Sequence, residues 1–186
     1  MQQLKHRREF RGRLKGVSLI EVLISIVIAS IGLLALVGTT VSSARYTKMS
    51  QYRATATQLA SDLGERMRAN KVGFASYDMQ TDFAGQAALP AVPGTVCNTF
   101  ATTCTAAQMA AFDLQSWQVL VRDQLPEGSA FIVVQNVQVA ADVWLVWRDP
   151  AVANADDAPT TNLECPAALS VAAQADVRCS YFRINL

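Results

Sequence analysis

Histidine is almost missing from this 186-residue chain: His6 is the only one. Beyond position 6 no imidazole can act as a general base or hold a metal. That excludes Ser-His-Asp and Cys-His catalysis and histidine-bound metal centres from the rest of the chain. Paired carboxylates or a lysine base stay formally open, but no spacing points to them. No enzymatic activity, no cofactor and no metal are expected. Proline is absent before Pro90, so nothing obliges an early helix to break. Cysteine is absent before Cys97. Most telling is the absence of charge from Val22 through Ala44, 23 residues in a row.

That uncharged run is long enough, at about 1.5 Å rise per residue, to cross the roughly 30 Å hydrocarbon layer of a bilayer. One acid, Glu21, stands at its start. An ionised, unpaired carboxylate there costs on the order of a few kcal/mol in lipid, and a plain anchor gains nothing from it. A partner cation is the natural reason to keep it. Upstream, Lys5, Arg7, Arg8, Arg11, Arg13 and Lys15 face only Glu9. This bias holds the N-terminus in the cytoplasm and sends everything after Ala44 to the far side. A plain signal anchor would not need Glu21. A secretory signal peptide would end near Ile28-Ala29-Ser30, yet the apolar run continues well beyond that point.

The stretch Lys15-Gly16-Val17-Ser18-Leu19-Ile20-Glu21-Val22-Leu23 resembles the class III signal of type IV pilins and pseudopilins. Leader, glycine, acid and uninterrupted run occur in the family's order, although Val17 stands where phenylalanine is usual. The resemblance implies that a prepilin peptidase cuts between Gly16 and Val17 on the cytoplasmic face and that the new N-terminus is methylated. It also makes Glu21 the fifth mature residue, with an assembly role. The implied organisation is a cleaved leader at 1–16, a transmembrane and assembly segment at 17–44, and a periplasmic head at 45–186.

Loss of the leader changes the charge. It holds six of the 16 basic residues and one of the 15 acidic ones, leaving 10 and 14, a net charge of −4. Such a chain lacks the basic stripe of a general nucleic-acid binder, and no nucleic-acid partner is expected. The four cysteines, Cys97, Cys104, Cys165 and Cys179, all lie beyond the anchor, where an even count reads as disulfides. Three connectivities are open. The local one, Cys97–Cys104 with Cys165–Cys179, closes the shortest loops and resembles the stapled loops of pilins. Each closure would contribute roughly 2–3 kcal/mol in the chain-entropy model. A four-cysteine zinc site would need shorter spacings than these.

Periodicity predicts one helix from about Val17 to Asn70. Gly32 and Gly38 interrupt its apolar half, either as tolerated membrane-helix glycines or as a soft segment that lets helices approach. In its second half Tyr52, Ala56, Leu59, Leu63 and Met67 form one packing face, with Arg53, Thr57, Ser61 and Arg68 turned away. Asp62 and Arg66 are spaced for an i,i+4 pair. Asn70 suits a left-handed cap, and Arg66 and Arg68 suit a solvated helix end, with subunit contact as the other option. The ending Arg66-Met67-Arg68-Ala69-Asn70 resembles the PilV subgroup of minor pilins. Residues 71–104 read as a long loop. Thr105-Ala106-Ala107-Gln108 is a capping box for a second helix with Ala110, Leu114, Trp117 and Val121 on one face, stopped near Leu125-Pro126-Glu127-Gly128.

Strands are expected around Phe131–Val134, Val143–Trp147 and Tyr181–Leu186, with Phe182, Ile184 and Leu186 on one face. Trp144 and Trp147 must point to opposite faces. One belongs to the core; the other is covered by the second helix or left as an exposed contact. The acidic loop Asp149–Glu164 lacks EF-hand spacing and reads as solvated, not as a Ca²⁺ site. The expected fold is α+β: a long N-terminal helix packed on a small antiparallel sheet, with a second short helix.

The resemblance implies a structural function, that of a PilV-type minor pilin which primes assembly of the type IV pilus near its tip and supports twitching and adhesion. Its implied partners are the prepilin peptidase, other minor pilins, the major pilin, the inner-membrane assembly platform and, before assembly, membrane lipid. Its implied location is the bacterial inner membrane, head in the periplasm, then the extracellular pilus. A minor pseudopilin of type II secretion would carry the same signal and is the alternative.

Overall fold

The computed structural model describes residues 16–99, 102–149, 164–172, 174 and 176–186. The basic leader with His6, and residues 150–163 of the acidic loop, lie outside the described residues. The chain is α+β, as the patterning requires. A single helix, α1, spans Leu19–Ala69. A second helix, α2, spans Ala106–Gln124, and three strands follow: β1 Ser129–Gln135, β2 Ala140–Arg148 and β3 Val177–Asn185. The strands form one antiparallel sheet in the order β1-β2-β3. The chain divides between Ala44 and Arg45 into two units.

In the first unit, residues 19–44 of α1 are exposed and apolar, long enough to cross a membrane by length and composition. Hydroxyls in this run turn back onto the helix. Ser25 donates to the Glu21 carbonyl at 2.7 Å, Ser30 to Ile26 at 2.7 Å, and Thr39 and Thr40 to Leu36 and Val37, both at 2.8 Å. These four polar side chains are thus satisfied by their own helix, as a segment without water demands.

In the second unit the face of α1 read from the sequence is the buried one. Ala56, Leu59, Leu63 and Met67 are buried and Tyr52 packs against them, while Arg53, Thr57, Ser61 and Arg68 are exposed. This face, together with Ala110, Trp117 and Val121 of α2, covers one side of the sheet at Ile132, Val143, Leu145, Trp147 and Ile184. The other side of the sheet carries a smaller core: Phe131, Val146, Val177 and Cys179 under Phe83, Leu169 and Val171. Trp147 takes the first core. Trp144 faces the second, half-buried, edge-on to Phe131 at 6.0 Å and tilted against Tyr181 at 5.0 Å. Its cover is therefore not α2, which packs on the opposite face.

Two details depart from the sequence reading. Asn70 is not left-handed: its φ is −121° and the chain runs on into a 3₁₀ helix, Lys71–Tyr77. Its side chain is used elsewhere, donating to the Ala106 carbonyl at the start of α2 (2.8 Å). Gly73 of the 3₁₀ helix lies against the same carbonyl; a Cβ there would sit 2.4 Å from Ala106 O. Gly73→Ala is expected to cost about 1–3 kcal/mol by forcing the two segments apart. A thermal unfolding curve checks this, and an unchanged midpoint would show that the start of α2 yields freely.

The outer edge of β1 is closed by residues 78–86. Asp78 Oδ1 accepts the Val134 N–H (2.9 Å). Met79 and Ile132 exchange main-chain bonds of 2.9 and 2.7 Å. The Gln86 side-chain amide accepts the Ala130 N–H (3.0 Å) and donates to the Ala130 carbonyl (2.8 Å). A glutamine amide has the same donor–acceptor pair as a peptide unit, so Gln86 takes the place of a neighbouring strand residue.

Candidate assembly site and head anchors

Gly16, Val17 and Ser18 precede α1 and are exposed. Ser18 supplies the first carbonyl, accepting from Glu21 N at 3.0 Å and Val22 N at 3.3 Å. Glu21 therefore falls in the first turn of α1, one turn from Val17, and is exposed. Its carboxylate stands beside the helix end where unpaired N–H groups concentrate positive potential, a favourable place for an acid. A Cβ added at Gly32 or Gly38 would meet nothing within 4 Å, so no contact inside the chain demands glycine there. The arrangement is a bare apolar helix with one acid at its leading turn. By length and composition it can insert in lipid or pack against other helices.

The head is tied by a polar clamp between α1 and α2. Arg66 is half-buried: its Nε donates to Asp62 Oδ2 (2.9 Å), and its Nη1 donates to Ser116 Oγ (2.9 Å) and lies 3.7 Å from Asp113 Oδ1. The solvated helix end expected for Arg66 is thus replaced by a bridge across 50 residues. Arg68 is exposed and pairs with Glu65 at 2.8 Å. Tyr77 donates to Asp113 Oδ2 at 2.5 Å. Burial first, then the bond to Asp113, pushes the Tyr77 hydroxyl far above its ordinary range, so it stays protonated and donating. On the second face of the sheet, Tyr181 donates to Asp142 Oδ1 at 2.6 Å, and that bond, with burial, raises its hydroxyl too.

Cys97 and Cys104 are bonded, with Cα atoms 6.1 Å apart, as are Cys165 and Cys179, at 5.2 Å. The first closes the stretch that leads into α2. The second fastens the Leu169 segment over the smaller core. Sequence reading missed Gln86 and Asp78, and it gave Asn70 a left-handed cap in place of its bond to the start of α2. The only available signal was a polar residue with no periodic role inside a loop rich in small residues. Among the described residues no group of three or more acidic, cysteine or histidine side chains could hold a metal ion.

Two family models match the chain. One, described as the prokaryotic N-terminal methylation motif, covers residues 11–37 and so includes Gly16, Val17 and Glu21. The other, described as type IV pilin Tt1218, covers residues 40–115, from the end of the apolar run through the α1 packing face into α2. No curated protein and no solved structure matches. The methylation motif and the pilin model adjoin in the order a pilin needs, and together they support placing this chain among the type IV pilins.

Proposed function

We propose that this chain is a PilV-type minor pilin, incorporated near the tip of a type IV pilus whose assembly it primes in support of twitching and adhesion. The observation that carries the reading is Glu21, the single charge on an otherwise apolar helical run that begins just after Gly16-Val17 and falls within the methylation motif. Prepilin peptidase cuts after Gly16. The freed, methylated amine of Val17 on one subunit then pairs with Glu21 of its neighbour. The inner membrane holds the subunit through residues 17–44, with the head, residues 45–186, in the periplasm. From there the assembly platform, other minor pilins and the major pilin take it into the filament.

Processing is tested directly. Intact mass or N-terminal sequencing of membrane-extracted protein is expected to give a chain that starts at a methylated Val17. Recovery of uncut Met1, or of a chain that starts near Ile31, contradicts the reading.

A further inference from the structure

Five arginines of the head pair with acids, whereas Arg178 forms no ion pair among the described residues and its Nε is buried without a partner there. Arg53, Arg66, Arg68, Arg148 and Arg183 each form an ion pair with a carboxylate. Arg122, in the last turn of α2, forms none among the described residues. Its guanidinium donates instead to the main-chain carbonyls of Gln86 and Ala87, the latter at 2.5 Å. Two of its five N–H bonds are used that way, and among the described residues its charge meets no counter-ion. The side chain is half-buried at the junction of two clefts, of about 290 and 280 Å³, which also share Gln86.

The clefts differ in charge. The smaller is lined by Glu127 as well as Arg148, whose own charge is already met by Glu127 and Asp176. An anion there would meet a carboxylate. The larger has no Asp or Glu in its wall among the described residues. Three of its acceptors are engaged: Gln86 Oε1 takes the Ala130 N–H, the Thr81 carbonyl takes Gln86 Nε2, and the Gln86 carbonyl takes Arg122, while the buried Ser129 hydroxyl, which can donate as well as accept, has no partner among the described residues. Donors remain on Arg122 and on Gln118, whose Nε2 faces the weakly accepting Met79 thioether. Leu89, Pro90 and Val121 give the cleft an apolar side. Spare donors and a positive charge select an anion with hydrogen-bond acceptors, and the apolar side selects an aliphatic stem.

We propose that this cleft binds a carboxylate carried on a short aliphatic stem, its oxygens on the Arg122 guanidinium and its methylenes against Leu89 and Pro90. A glutamate side chain of another protein chain and a free short dicarboxylate present the same chemistry.

The test uses the full chain in detergent micelles and follows the arginine Nε–H signals by NMR. The probes are glutarate, glutaramide and a blocked Ala-Glu-Ala tripeptide. Glutarate or the tripeptide is expected to move the Arg122 signal saturably, and glutaramide to leave it in place. The tighter binder of the two identifies the source, protein side chain or free acid. Arg122→Gln is expected to weaken binding about 10-fold or more, the worth of one charge-assisted hydrogen bond. Leu89 is 66% exposed, so changes there do not threaten the fold. Leu89→Gln and Leu89→Glu both remove the apolar contact, and Leu89→Glu is expected to weaken glutarate binding about 10-fold more than Leu89→Gln because it also places a tethered carboxylate at the cleft. No saturation with either acid, or an equal response to glutaramide, overturns the proposal, as does a Leu89→Glu chain that binds glutarate unchanged.

Discussion

Glu21→Lys is expected to leave the protein in the membrane fraction and out of the filament. The helix keeps its 23-residue uncharged run in either case, so insertion survives. Under the proposed pairing, what changes is the sign of the group set against the amine of Val17 on the neighbouring subunit. In lipid the acid gains a partner cation; a lysine in its place faces a like charge with little water to screen it. Glu21→Gln removes the attraction without adding repulsion and is expected to reduce incorporation while cleavage after Gly16 continues. Immunoblots of membranes and of sheared pili separate these outcomes, and surface pili and twitching should fall together. A Glu21→Lys protein found at normal levels in pili would remove the assembly role from Glu21. Normal piliation with failed exoprotein release would move the chain to the secretion pseudopilus.

Trp117→Ala is expected to be the most damaging single change in the head, costing about 3–5 kcal/mol. The indole is fully buried and joins α2 to α1: its Nε1 donates to the Leu59 carbonyl at 2.9 Å. Truncation leaves a void where three layers meet, α1, α2 and the first face of the sheet. Against the roughly 5–15 kcal/mol that holds a typical domain folded, this is a large fraction. Trp117→Phe keeps most of the volume and loses the hydrogen bond, for about 1 kcal/mol. Denaturant unfolding of the two variants, followed by near-ultraviolet circular dichroism, tests the order. Equal losses would assign the effect to the hydrogen bond instead of the packing.

The elements were legible where a local rule governs them. The α1 packing face follows from steps of three and four between Tyr52 and Met67. The start of α2 follows from Thr105 and Gln108, which exchange both capping bonds in the structure. The strands follow from their β-branched and aromatic content, and the ordered signal Gly16, Val17, Glu21 lies within six residues of sequence. What was not legible depends on partners far along the chain. Arg66 bridges to Ser116, Asn70 reaches Ala106, and Gln86 pairs with Ala130, at separations of 50, 36 and 44 residues. Local propensity placed Asn70 in a left-handed cap; a tertiary hydrogen bond drew it away. The cover over Trp144 depends on which face α2 chooses, and strand parity says only that the two tryptophans differ.

The loop along β1 bears on how these heads behave when crowded. A foreign strand seeking to extend the sheet from that side must first displace five hydrogen bonds, one from Asp78, two from Met79 and two from Gln86. At a net value of about 1 kcal/mol each, that is a barrier of about 5 kcal/mol, or roughly a thousandfold or more against edge-to-edge aggregation. Wherever many copies are held close together, that side of the sheet resists amyloid-like stacking, and association is left to side chains and helices.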